Sequence, residues 1–321
     1  MMHPLTDISG RQVDRLIGAL DSLIEGDLAV EKLIASGPSA IPALSDFLLK
    51  GSPKSIALHR CRAVHALGEL GACSTLISYF RESERPQDAT VLFAEDAVRS
   101  VAARELMRWK SDEVFHVLLG AAKQRATEGL IMALGEFHRP ESIPLLFEVL
   151  EDDLCRSCAM ENLRKVPNGA RQYAFLAIRG LTNVNLNGAS AVCRRRAVLQ
   201  LLSELGIPSG DWPELRPFLS ESDPAIVIAA AQVGFSVAPE SEWRQIAAAL
   251  LKVADALNSV QQEDVTQLLD AHRSIAQEIA FEITTYRKHL GQKPNWLSPS
   301  WRILNHVLDR ALERDHSHPK R

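Results

Sequence analysis

Twenty-nine residues separate Val114 from Ile143, and the same interval separates Leu134 from Leu163. Val114 opens an apolar stretch that ends in Leu134-Gly135-Glu136-Phe137, and the ending recurs as Leu67-Gly68-Glu69-Leu70-Gly71 and Leu202-Ser203-Glu204-Leu205-Gly206. Self-similarity at a period of roughly 20 to 50 residues marks stacked repeats, each too small to bury its own apolar face and each covered by its neighbours. Such an architecture acts by presenting surface. The sequence therefore names a fold more readily than a task.

The period is helical rather than stranded. The chain is 46% hydrophobic but only 6% aromatic, and Ala and Leu, which favour helix and suit helix-on-helix packing, dominate its apolar positions. Few segments alternate with period two. The spacing predicts an amphipathic helix over 8–25 with Val13, Leu16, Ile17, Leu20 and Ile24 on one stripe, and a short helix over 28–35 stopped at Ser36-Gly37-Pro38. Paired helices then follow at 38–71, 72–109 (with a polar, loop-like insertion at 81–88), 111–138, 140–166, 169–206 and 211–237. The second helix of the last pair, 225–235, is apolar nearly all round and is expected to be buried. Beyond Pro239 longer helices are expected over 240–257 and 261–290, with a break at 291–294 and one more helix over 301–312.

These pairs resemble HEAT repeats, including the HEAT-like subclass named after phycobiliprotein lyases. The family's second helix carries an Asp, then Val-Arg three residues on, then two small residues, with Leu-Gly seven residues after the Arg. Asp96-Ala97-Val98-Arg99 is the best match; Arg60, Arg99, Arg156 and Arg195 each precede Leu67, Leu106, Leu163 and Leu202 by seven, and Asp96, Asp153 and Asp223 fill the Asp place. Thr127 and Ile226 replace the Arg, and Ala57 and Val192 replace the Asp. The resemblance covers about 28–237. It implies an all-α fold: an α-solenoid, a right-handed superhelix of about six helical hairpins. The expected organisation is an N-terminal helical cap over 1–36, the array over 37–238, a C-terminal cap of longer helices over 239–313 and a disordered tail over 314–321. It also implies that Arg60, Arg99, Arg156 and Arg195 form a structural ladder with Asp96, Asp153 and Asp223.

Arginines and a histidine beside that column, Arg62, His65, Arg104, Arg108, Arg164, Arg194 and Arg196, fall on second helices, which line the concave face in HEAT-like arrays. They alternate with Glu69, Glu105, Glu128, Glu161 and Glu204, and a surface of mixed sign suits a protein partner better than a polyanion. A net charge of −4 weighs against a dedicated nucleic-acid binder. The expected function is a non-enzymatic scaffold or adaptor that binds a protein on the concave face, with no cofactor. The resemblance also admits two alternatives: a bilin or tetrapyrrole lyase or chaperone, and a nucleic-acid-binding protein of the DNA glycosylase type, for which Trp109, Asp112 and Glu113 would be the residues of interest.

Cys155-x-x-Cys158 has a metal-like spacing, but no second ligand pair accompanies it, so two small side chains in a packed helix explain it. His306, His316 and His318 could hold a metal only weakly. No glycine-rich phosphate loop, nucleophile elbow or His-Glu-x-x-His is present. Five cysteines, odd in number and irregularly spaced, suit a reducing compartment, and no basic-then-apolar leader or bilayer-length apolar run occurs; a cytoplasmic protein without membrane contact is expected.

Overall fold

A computed structural model describes residues 10–82, 86–182, 189–289 and 298–307. The fold is all-α, and among the described residues there is no strand. The chain divides into two compact units, Met1–Val166 and Pro167–Arg321, so the boundary lies inside the stretch expected to be one array.

In the first unit the helices run α1 (Gly10–Ala19), α2 (Gly26–Ala35), α3 (Ile41–Lys50), α4 (Leu58–Glu69), α5 (Cys73–Glu82), α6 (Ala89–Leu106), α7 (Asp112–Gln124), α8 (Glu128–Gly135), α9 (Ile143–Glu148) and α10 (Arg156–Arg164). Each second helix packs on the next: α2 on α4, α4 on α6, α6 on α8 and α8 on α10. First helices do the same from α1 to α3, α5 and α7. Two rows follow directly from the repeat, because leucines at equivalent places, Leu67, Leu106, Leu134 and Leu163, are all fully buried. The turn chemistry repeats too. Gly71 (φ 78°) and His138 (φ 51°) both adopt the left-handed conformation four residues after the repeat leucine, which ends the second helix at the same point. Ser111 and Thr127 start α7 and α8 as N-caps, accepting from the amides of Val114 and Leu130.

The second unit comprises α11 (Pro167–Thr182), α12 (Ala189–Leu205), α13 (Trp212–Leu215), α14 (Pro224–Val237), α15 (Glu240–Lys252), α16 (Ser259–Ala271), α17 (Arg273–His289) and a helix over 299–307. The second-helix row is α12, α14 and α16, in that order, with α15 against α17 behind it. Gly206 (φ 68°) stands four residues after Leu202, the place Gly71 holds in the first unit.

Three expectations are corrected. The first helix stops at Ala19 instead of continuing to residue 25, and Ile24 is 93% exposed rather than on the buried stripe. The guanidinium of Arg62 donates to the carbonyls of Leu20 and Ser22 (both 2.8 Å), which fixes those carbonyls in a turn. The segment 81–88 is not all loop: α5 includes Arg81 and Glu82, and Asp88 caps α6 through the amides of Thr90 and Val91. The single helix expected over 261–290 breaks at His272 (φ −117°, ψ 46°), whose ring stacks on Phe235 at 4.0 Å while its Nδ1 bonds the Leu268 carbonyl at 2.9 Å. The expected break at 291–294, the end of the last helix and the tail over 314–321 lie outside the described residues.

Candidate functional site

In the column of repeat arginines Arg60 and Arg99 are buried and Arg156 and Arg195 half-buried, and the acceptors differ from the expected aspartates. Arg60 is 3% exposed and donates to the Gly51 carbonyl (3.0 Å) and to Glu95 Oε1 (3.1 Å). Tyr79 donates to the same Glu95 oxygen, and burial followed by the Glu95 charge pushes the Tyr79 phenol well above its ordinary pKa. Arg99 is buried with its guanidinium 5.0 Å from the Phe80 ring centre. Arg195 pairs with Glu221 at 3.2 Å. Arg156 meets its own Asp, Asp153, at 2.7 Å, and also donates to the carbonyls of Leu150 and Glu151. Asp96 is instead held by Arg125 (2.6 Å), and Asp223 by both arms of Arg196 while it caps α14. The Arg–Asp ladder is thus corrected to a set of mixed partners. A glutamate one residue ahead of Asp96 reaches the buried guanidinium, and the half-buried aspartate pairs with Arg125 instead.

Of the residues expected to meet a partner, several are tied into the fold. Arg62 binds Asp27 at 2.9 Å besides its two carbonyls, so it locks the α1–α2 turn to α4. His65 Nδ1 lies 2.8 Å from Glu105 Oε1, and Arg108 bridges Glu69 to Glu105, joining α4 to α6. Hydrogen bonding to Arg108, with its charge, draws the Glu69 carboxyl below its ordinary pKa. His65, Glu69 and Glu105 have ligand-type atoms within 4.8 Å of one another. Arg108 bridges the two carboxylates, and the group reads as a clamp between helices. Gly68 makes room for it: a Cβ there would lie 2.2 Å from Glu105 Oε2. The same device recurs where Gly135 faces Asn162, whose amide donates to the Ile131 carbonyl at 2.7 Å. Arg104 is exposed and makes no hydrogen bond or ion pair among the described residues. Arg164 is exposed, Arg194 half-buried, and both interact with neighbours.

The residues of interest for a glycosylase are paired on α7: Asp112 with Arg139, Glu113 with Arg81 at 2.9 Å. Trp109 is half-buried beside them in sequence. Cys155 is buried, and desolvation pushes its thiol up to about 11; the Cys158 thiol is raised by the same cause and accepts from Asn162 at 3.7 Å. Neither favours the thiolate that a metal or redox site uses. His306 is exposed on the 299–307 helix, and His316 and His318 lie outside the described residues.

A concavity of about 610 Å³ lies in the second unit, across the row α12, α14 and α16. Its floor is the α14 face Ala225, Ile228 and Ala229, and its walls carry Gln200 and Glu204 on one side and Gln261 and Asp264 on the other. The expectation that α14 is buried needs one amendment: Gln232 is half-buried and Ser236 exposed, both opening into this groove. Arg196, expected at the partner surface, stands at one wall, with its charge met by Asp223. Glu204 accepts from Gln200 at 3.1 Å, and Asn258 donates its amide to Gln261 Oε1 in a capping box. Gln232 and Asp264 make no side-chain hydrogen bond or ion pair among the described residues. The sequence reading passed over these four glutamine and aspartate positions. The signal that finds them is Gln232 itself, one amide in an otherwise apolar helix.

No helix among the described residues is long and apolar enough to cross a membrane. Comparison with family models, curated proteins and solved structures finds no match.

Proposed function

We propose that this chain is a non-enzymatic interaction scaffold, a HEAT-like α-solenoid of right-handed superhelical form that works in the cytoplasm and binds a protein partner on the surface of its second helices. The repeat registers, the shared left-handed helix ends and the two rows of stacked helices support the repeat reading. The observation that carries the functional reading is the groove over α14, which spans three successive second helices and presents Gln232 and Asp264, whose side chains have no partner among the described residues. Pockets of a few hundred Å³ with an apolar floor and a few converging polar groups are where ligands bind. The basic residues that a polyanion would seek are largely committed: Arg62, Arg108 and Arg196 are each closed in ion pairs.

The test is parallel affinity capture with the unaltered chain, with Gln232→Trp, which fills the groove, and with Glu278→Lys on the exposed face of α17. A partner held by the first and third and lost by the second supports the reading. Capture that is indifferent to Gln232→Trp, or lost equally with Glu278→Lys, contradicts it.

A further inference from the structure

The groove over α14 has a length, a charge and a hydrogen-bonding character, and together they specify what fits it. From Ala225 to Ser236 the floor advances eleven residues along a helix, about 16 Å at ~1.5 Å per residue. An extended polypeptide covers that distance in about five residues at ~3.3 Å each. A helical ligand satisfies its own backbone and asks its receptor mainly for apolar surface, whereas an extended one arrives with every peptide N–H and C=O unpaired. The walls are suited to the second case. Among the described residues Gln232 offers both a donor and an acceptor, the Gln200 side-chain carbonyl stays open after its NH2 donates to Glu204, and the Gln261 NH2 stays open after its carbonyl accepts from the Asn258 backbone N–H. A carboxamide pairs with a peptide group of any sequence, so these three give affinity without side-chain selection.

Selection comes from charge. Arg196 is the one cation among the lining residues, and Asp223 holds it with both carboxylate oxygens. Asp264 makes no ion pair among the described residues, whereas Glu204 is engaged by Gln200 and by a further neighbour. The Asp264 carboxylate beside a self-cancelling Arg196–Asp223 pair favours a positive ligand.

Resting on the scaffold reading above, we infer that the α12–α14–α16 groove binds an extended segment of a partner protein, about five residues long, through its backbone, with a Lys or Arg side chain of that segment paired to Asp264.

The experiment is selection of a random decapeptide display library on the immobilised full-length chain, in parallel with Gln232→Trp and with Asp264→Asn, which removes charge at constant shape. The expected result is enrichment, on the unaltered chain over Gln232→Trp, of peptides with a Lys or Arg in a short common tract. Labelled single peptides should then lose about three- to tenfold in affinity on Asp264→Asn and weaken as salt is raised. Peptides that enrich and are displaced by Gln232→Trp but carry no basic residue, or basic peptides indifferent to Asp264→Asn, overturn the inference while leaving the scaffold reading standing. No enrichment over Gln232→Trp overturns the inference as well, and the capture experiment then decides the scaffold reading by itself. Thermal melts of both variants matching the unaltered chain show that the comparison is between folded proteins.

Discussion

Replacing Gly129 with alanine should destabilise the first unit, although alanine is the better helix former. Gly129 lies in the first turn of α8, against α6, and an ideal Cβ there would fall 2.4 Å from the Ser100 carbonyl oxygen and 2.6 Å from its Cα. These are backbone atoms in the middle of an 18-residue helix, so no side-chain rotation relieves the overlap. Restoring ordinary contact requires α6 and α8 to part by roughly an ångström, and overpacking of this kind costs about 1–3 kcal/mol. The gain in helix propensity returns at most about 1 kcal/mol. The net is a loss of about 1–2 kcal/mol, or roughly 2–8 °C in Tm for a unit of this size. Gly120→Ala is the control: Gly120 is exposed within α7, nothing lies within 4 Å of its Cβ position, and the same substitution there should add about 0.5–1 kcal/mol. Urea titrations followed by circular dichroism at 222 nm should move the two midpoints in opposite directions. Equal shifts, or a stabilising Gly129→Ala, would refute the close α6–α8 packing on which the stacked row depends.

Glu95→Leu should cost about 3–5 kcal/mol, because it leaves the buried Arg60 guanidinium without its anion and the Tyr79 hydroxyl without its acceptor; chemical denaturation reads this directly. The pH dependence of stability near neutrality should report His59. Burial, aided by Lys54 and Arg60 against Asp21, lowers its folded pKa below the unfolded value of about 6.5. The unfolded state therefore binds the proton first, and stability should fall as pH drops below about 6.5 and level off once the folded pKa is passed; a His59→Gln variant whose profile keeps the same slope would contradict this assignment. Cys155, with its thiol at about 11, is only ~0.1% thiolate at pH 8, so it should alkylate on the order of a hundredfold more slowly than an unperturbed cysteine, measured by mass spectrometry of iodoacetamide adducts.

The sequence was most informative where one residue type has one physical role in every repeat. The leucines at 67, 106, 134, 163 and 202 are spaced for the core and are all buried, and Gly71 and Gly206 recur because a left-handed helix end excludes most other side chains. The site was legible only in part, because a charged residue on a helix has several partners within reach and its spacing does not choose among them. Arg62 and Arg196 look like neighbours of one surface in sequence; one is bound into a turn of the first unit and the other into the N-cap of α14. Glu95 escaped notice because its neighbour Asp96 fits the family pattern, yet Glu95 is the residue whose longer side chain reaches Arg60. The groove escaped for a related reason. Gln200, Gln232, Gln261 and Asp264 are unremarkable singly, and they converge only through the packing of α12, α14 and α16, which lie up to some sixty residues apart in sequence.

The stacking of alternate helices with a third beneath them is the claim from which the groove and its ligand both derive. Paired spin labels at Gln200 on α12 and Gln261 on α16, read by pulsed electron spin resonance, measure it most directly. Two interaxial steps of about 8–10 Å separate those helices, so a single narrow distribution centred at about 20 Å, broadened by the label arms, is the result expected. A distribution centred beyond about 35 Å, or one without a defined maximum, would mean that α14 does not lie between them and that there is no groove for a partner to enter.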